Sequence, residues 1–491
     1  MNYDSILLIS VLVIPLVTMF LLLFLHPKRK WILPAVAMSG VGLALISVIA
    51  LIPQLQANQS VSIGFPWIQS MGISFLIQLD WLSFPYLITE LAVTLVAFMF
   101  CLGDSFSLKQ NKYYYILIML FGLGMSGTTL ADDMFLFYIF WETMLVASCG
   151  LILLWGKGKR REAIALKYFI ITHFGSLMVL ASLMILYSQT GSTSLAVLRA
   201  NPIGISPELL TLVMVMFLIG FCTKMAIFPL HLWLPDAHTV APMPVTIMLA
   251  AAMLSMGTYG ILRFPYSFFT IEQLSAFSVP MMIAGLISEI YGAMMALAER
   301  DIKRIIAYSS VSQMGYILFG LGSMTRDGVM GASMHVIYHA IVKALLFMIV
   351  GIIIETTHRR NIDELGGLAG KMPWVTACAV IGGLGIAGMP PLGIFNSEWM
   401  IFSGGFQAAD IGLTVVTICG SLLSVFYALR FFGNIFFKTP TEDISIEKRS
   451  FWSLFPAIIL VVVLLTTGVF PGVLLDWTRR GLGLLLGNGL Q

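Results

Sequence analysis

The chain has 491 residues, 59% of them hydrophobic and 10% charged, with a formal net charge of +3. Soluble proteins carry roughly 25% charged residues, so a soluble fold is excluded and an all-α integral membrane protein is expected. The five cysteines (Cys101, Cys149, Cys222, Cys378, Cys419) are scattered through apolar segments with no CxxC pair. Iron–sulfur, structural zinc and disulfide frameworks therefore have no support, and no cofactor is expected in this chain.

A helix needs about 20 apolar residues to cross a bilayer. On that scale the sequence predicts about fourteen transmembrane helices: 5–25, 31–52, 82–103, 113–131, 133–155, 165–187, 208–229, 242–263, 274–298, 304–324, 329–354, 372–404, 408–436 and 451–475. The first run lacks a basic flank and a small-residue cleavage site, which marks a retained helix rather than a signal peptide. Loops after odd-numbered spans hold Lys28, Arg29, Lys30, Lys109, Lys112, Lys157, Lys159, Arg160, Arg161, Arg300, Lys303, Arg304, Arg359, Arg360, Lys371, Lys438, Lys448 and Arg449. Loops after even-numbered spans hold only Arg199, Arg263 and Arg326. The positive-inside rule puts the odd loops in the cytoplasm and both termini on the outer side of the cell membrane. Arg479 and Arg480, beyond the last span, have little leverage on that orientation.

Two spans are cut by proline. Span 7 ends GFCTKMAIFPLHLWLPDAH, with Pro229 as the break, and span 12 reads GLGIAGMPPLGIFNSEWMIF, broken at Pro390 and Pro391. Proline removes a backbone donor and clashes with the preceding turn, so the freed carbonyls must face protein or water. The breaks are five spans apart. Five is odd, which gives spans 4–8 and 9–13 opposite topology and predicts two inverted five-helix repeats with broken helices 7 and 12. The expected organisation is spans 1–3 in 1–110, the first repeat in 111–265, the second in 266–440 and the last span in 441–491.

Ionisable residues gather near the breaks. Glu142 is mid-span 5 in FYIFWETMLVAS, and Lys224 lies five residues before Pro229. His335, His339 and Lys343 descend span 11 in HVIYHAIVKALLF, four residues apart, and Glu398 follows Pro390–Pro391. Stacked on one helix face, the span-11 groups sit about 6 Å apart. Lipid penalises each such group by at least a few kcal/mol. The order acid, base, imidazoles and base, acid suits a lateral proton relay. Burial loosens a lysine proton and a nearby carboxylate holds it, while histidines titrate near neutrality. The alternative for Glu142 and Lys224 is a static buried pair.

Other polar residues read less sharply. Lys167 either reaches the cytoplasmic end of span 6 or sits beside Glu142. His173 and Glu289 lie mid-membrane without an assigned role, and Arg430 anchors the end of span 13. His231, Asp236 and His238 fit no metal-ligand spacing, and Asp236 is expected to cap the next half-helix. No catalytic residue and no metal site are expected.

FWETM, KxxxFPLHLWLPDAH, IKRIIAYSSVSQMGY, HxxxHAxxKALLF and GMPPLGIFNSEW, in that order over spans 4–13, resemble the antiporter-like subunits of respiratory complex I. That fold is shared with Mrp cation/proton antiporters and with membrane-bound nickel–iron hydrogenases and formate hydrogenlyases. The resemblance implies ion translocation, driven by a redox module elsewhere in a multisubunit complex and flanked by homologous subunits. On it, Glu142 and Lys224 match the family's glutamate–lysine pair and Lys167 a lysine that tunes it. His335, His339 and Lys343 match the central relay, and Glu398 the terminal residue, which would bias Lys343. Glutamate in span 12 is similar to M-type subunits, whereas SEW at Ser397–Trp399 is similar to the hydrogenase branch. The chain ends at Gln491 without the long lateral helix of an L-type subunit. One departure is Ser255, where many relatives carry lysine; water on Ser255 and Tyr259, or His335, would have to substitute. The expected function is proton translocation in a redox-driven complex, the alternative a Na⁺/H⁺ antiporter subunit of an Mrp-type complex. Lysine and histidine groups favour H⁺, because Na⁺ needs an oxygen cage. Lipid is an expected partner and nucleic acid is not.

Overall fold

A computed structural model describes residues 3–26, 29, 31–69, 72–103, 111–200, 205–440, 444–447 and 450–485. The loop cations Lys28, Lys30, Lys109, Lys448 and Arg449, and the terminal Gln491, lie outside the described residues. Among the described residues, thirteen helices are long and apolar enough to cross a membrane: Tyr3–Phe24, Ile32–Asn58, Ser83–Cys101, Lys112–Leu130, Met134–Trp155, Arg161–Thr190, Pro207–Val240, Met243–Phe268, Ser278–Ala298, Ile302–Gly322, Arg326–Thr357, Ile411–Phe437 and Phe451–Val469. Two shorter helices, Pro373–Ile386 and Gly393–Gln407, occupy the place of span 12. Below, the spans keep the numbers 1–14 in chain order.

Spans 8, 10 and 11 are almost wholly buried, while in spans 1, 2, 6, 13 and 14 less than half of the apolar window is buried. A helix that is apolar all round belongs inside other helices, and these three form the axis of the bundle. Close approach depends on small residues. A Cβ on Gly292 of span 9 would lie 2.4 Å from the Ser312 amide of span 10, and one on Gly315 would lie 2.5 Å from that of Glu289. Side chains set the helix starts. Asp133 accepts from Phe135 and Leu136 at span 5, Asp301 from Lys303 and Arg304 at span 10, and Thr325 from Gly328 at span 11.

The chain is all-α as expected, and two elements add detail at its margins. An antiparallel hairpin, Ser60–Ile68 paired with Ile73–Asp80, follows span 2. Span 14 stops at Val469 instead of 475, ahead of Pro471, and an amphipathic helix, Gly472–Leu485, folds back. There a Cβ on Gly481 would meet the Trp81 carbonyl at 2.6 Å, and the Arg480 guanidinium lies 5.0 Å from the Trp81 ring centre.

The hairpin ends in a clamp. Asp80 holds Arg263, from the end of span 8, through two hydrogen bonds of 2.7 and 2.9 Å, and it also accepts from the amides of Leu82 and Ser83. Burial pushes the Asp80 carboxyl up, but the Arg263 charge and hydrogen bonds outweigh it and hold the group at about 2. Arg199 likewise pairs with Asp132. Two of the three arginines in the even loops are thus neutralised by carboxylates.

Candidate ionisable site in the membrane interior

Span 7 leaves its helix one residue after Lys224. The helix Pro207–Met225 ends with Ala226 in the left-handed region at φ 58°, and a short 3₁₀ turn, Leu230–Trp233, leads into the helix Leu234–Val240. The groups freed by the break find partners. Trp233 Nε1 donates to the Thr223 carbonyl at 2.9 Å, and the Phe228 amide donates to Ser288 Oγ of span 9 at 3.2 Å.

Lys224 is 2% exposed and its Nζ has no hydrogen-bond partner. It lies 4.8 Å from the Trp141 ring centre and within electrostatic range of Glu142. Glu142 does not form the static pair with it. Glu142 Oε2 instead receives His173 Nδ1 of span 6 at 3.1 Å, and Oε1 has no partner. Lys167 does not sit beside Glu142 either. Its Nζ bonds Asp236 at 2.7 Å, and Asp236 also binds Arg304 at 2.8 Å. Asp236 is therefore no helix cap; two cations on spans 6 and 10 compete for its oxygens and win.

In span 12 the helix stops at Ile386, Gly388 turns at φ +66°, and helix resumes at Gly393. A Cβ on Gly388 would lie 2.2 Å from Glu398 Oε2, so this glycine makes room for the carboxyl. Glu398 is buried, and its Oε1 is unpartnered. Its neighbour Ser397 meets His335 Nδ1 at 3.1 Å, while His335 Nε2 meets Gln313 Oε1 of span 10 at 2.9 Å. Ser397 Oγ donates to the Ile394 carbonyl at 2.8 Å and so can accept from Nδ1; rotating the hydroxyl would let it donate to Nδ1 instead. His339 Nε2 is unpartnered. Lys343 is fully buried and donates to Ser309 Oγ at 2.6 Å and the Ile306 carbonyl at 3.0 Å. Glu398 belongs to the His335 end of span 11, and Lys343 lies eight residues, about 12 Å, further along. The expectation that Glu398 biases Lys343 directly is corrected accordingly.

The span-8 departure also looks different in three dimensions. Ser255 turns its hydroxyl back to the Ala252 carbonyl, just after a π-helical segment, Leu249–Met253. Tyr259 is occupied: it donates to the Thr129 carbonyl at 2.6 Å and accepts from Arg263 at 2.8 Å. His238, which fits no metal-ligand spacing, is buried on the second half of span 7. His238 is 0% exposed with neither ring nitrogen partnered, stacks 5.1 Å from Phe347, and faces Lys303 and Lys343. Its position five residues beyond the 3₁₀ turn was readable, but its direction toward span 11 depends on how the half-helix sits. For the same reason His173 had no assigned role and Gln313 was not singled out. Among the described residues, no group of three or more His, Cys, Asp or Glu side chains is placed to hold a metal ion.

The sequence profile of the NADH:quinone oxidoreductase/Mrp antiporter transmembrane family matches residues 131–424. NADH-quinone oxidoreductase subunit M of Escherichia coli K12 is 34% identical over 443 residues, covering 88% of this chain and 86% of that one. The fold is similar to a chain of the Mrp complex from Dietzia sp. DQ12-45-1b, with a TM-score of 0.87 at 23% identity, covering 99% and 98% of the two chains. It is also similar to a chain of the membrane-bound sulfane sulfur reductase, an archaeal respiratory membrane complex. There the TM-score is 0.86 at 28% identity, over 96% of this chain and 77% of that one.

Proposed function

The chain belongs to the NADH:quinone oxidoreductase/Mrp antiporter family, and from that premise we propose that it is the proton-translocating membrane subunit of a redox-driven respiratory complex. The complex is complex I-like or membrane-bound-hydrogenase-like, with homologous antiporter-like subunits as neighbours, and sits in the cell membrane with both termini outside. Residues 111–265 and 266–440 act as two inverted five-helix units, preceded by 1–110 and followed by 441–491.

Within these units protons move laterally. Glu142, with His173, sets the charge on Lys224. His238 passes the proton across the boundary between the units toward Lys343, and His339 and His335 carry it to Glu398. Lys167 tunes the entry by choosing between Asp236 and Glu142. The observation that carries this reading is Lys224: a buried ammonium with no hydrogen-bond partner, stabilised by an aromatic face and a carboxylate that is engaged elsewhere. An uncompensated buried charge is costly. Small movements of Glu142 therefore decide whether Lys224 keeps its proton, which is what a gated carrier needs. Water-poor surroundings strengthen that control.

The test is a tagged chain purified with its assembly, its partners identified by mass spectrometry, and inverted membrane vesicles supplied in turn with NADH and with H₂. Glu142→Gln should lower proton transport at least about tenfold while the assembly stays intact. Unchanged transport would overturn the relay. Transport that requires Na⁺ and persists without either donor would favour the Mrp-type reading.

A further inference from the structure

Glu289 of span 9 has no place in the relay above. It is 0% exposed and neither oxygen makes a well-aligned hydrogen bond. Room for it is made on another helix: a Cβ on Gly420 of span 13 would lie 2.3 Å from Glu289 Oε1. Gly388 does the same for Glu398. One glycine on span 13 and one in the span-12 break therefore clear space around two carboxyls.

Glu289 lies within electrostatic range of Glu398. The groups acting on Glu289 are Glu398 and the Tyr316 hydroxyl of span 10. Tyr316 is fully buried, its hydroxyl faces both carboxyls without a well-aligned hydrogen bond of its own, and its ring stands 5.8 Å from that of His335. Tyr427 of span 13 faces the same two carboxyls and receives Gln313 Nε2 at 3.4 Å. Gln313 in turn holds His335. Two carboxylates in a dry pocket repel strongly, and a proton held between them removes the repulsion.

We propose that Glu289 and Glu398, bridged by Tyr316, form a two-carboxyl proton-loading site at the end of the second unit. This rests on the relay reading and deepens its terminal step. The incoming proton leaves a ring nitrogen of protonated His335, which becomes neutral, and converts a carboxylate into a carboxylic acid. The pair cycles between one and two protons, and no electrons move. Ser288, beside Glu289, accepts the Phe228 amide at the span-7 break, so movement at that break reaches the loading site through span 9.

The experiment uses the intact assembly in inverted vesicles, driven by whichever of NADH and H₂ drives the wild type. Glu289→Gln should lower proton transport per donor oxidised at least about tenfold, and Glu289→Asp should keep most of it. The double variant Glu289→Gln/Glu398→Gln should be no worse than Glu398→Gln alone, because one unit is removed once. Wild-type transport in Glu289→Gln, or losses that multiply in the double variant, would overturn the shared site. Should Glu289→Gln fail to assemble, Gly420→Ala pushes a methyl against Oε1 and should also slow transport; unaltered transport would count against the proposal. A measurement without a driving reaction separates this from failure of the relay as a whole. The infrared C=O stretch of a buried carboxylic acid should change in both Glu289→Gln and Glu398→Gln. A band that responds to only one of them overturns the shared proton, whatever transport does.

Discussion

At the hairpin rim, Asp80 binds Arg263 through two hydrogen bonds and takes two backbone amides as well. At mid-membrane, Lys224 has no hydrogen-bond partner, and neither do the oxygens of Glu289 or the nitrogens of His238. Both regions are buried, so both incur desolvation. The rim offsets it by pairing Asp80 with Arg263 and Asp132 with Arg199; at the part-exposed other end of span 7, Asp236 pairs with Lys167 and Arg304. The interior leaves ionisable groups without partners, at a cost the fold could have avoided with apolar residues of similar size. Paired charges hold helices in place, whereas unpartnered ionisable groups can change state without dismantling the bundle.

That contrast can be broken at several points. The largest stability effect is expected from Arg263→Ala, which strands Asp80 without its cation and should cost about 3–5 kcal/mol, read as loss of assembled complex on native gels. Acid should act on the same clamp. The Asp80 carboxyl sits at about 2 against roughly 3.9 unfolded. Its contribution is therefore complete above about pH 4 and lost as pH falls through 2; hydrogen exchange of the 60–80 hairpin should accelerate only in that window. Ser397→Ala, which takes the hydroxyl from His335 Nδ1, should cost about 1 kcal/mol and slow transport severalfold without loss of assembly. Lys167→Ala should change stability by no more than about 1 kcal/mol, since the pair is part-exposed and Arg304 retains Asp236. A severe transport defect in that variant would show Lys167 acting on Glu142 during turnover.

The membrane helices were legible in the sequence because a bilayer demands long apolar runs, and span 12 was recognisable because two prolines interrupt one. The hairpin was not, since a short alternating segment such as SVSIGFPWI differs little from a loop. Which polar groups meet was the least legible. Lys167 and His173 lie six residues apart on one helix, and only the packing of span 6 on spans 5 and 7 sends one to Asp236 and the other to Glu142. Glu398 was visible as a buried acid, but its closeness to His335 rather than Lys343 depends on how span 12 resumes after its break. His238 was visible in LPDAH, and its role at the boundary between the units follows from a half-helix direction that local sequence does not encode.

The most direct measurement compares Lys224→Met with Arg263→Gln in the same vesicles, reading assembled complex and proton transport per assembled complex. Lys224→Met should abolish transport while assembly stays equal or improves, and Arg263→Gln should lower assembly while the complexes that form still transport. Normal transport per complex in Lys224→Met, with reduced assembly, would contradict the assignment of the unmatched interior charges to proton movement.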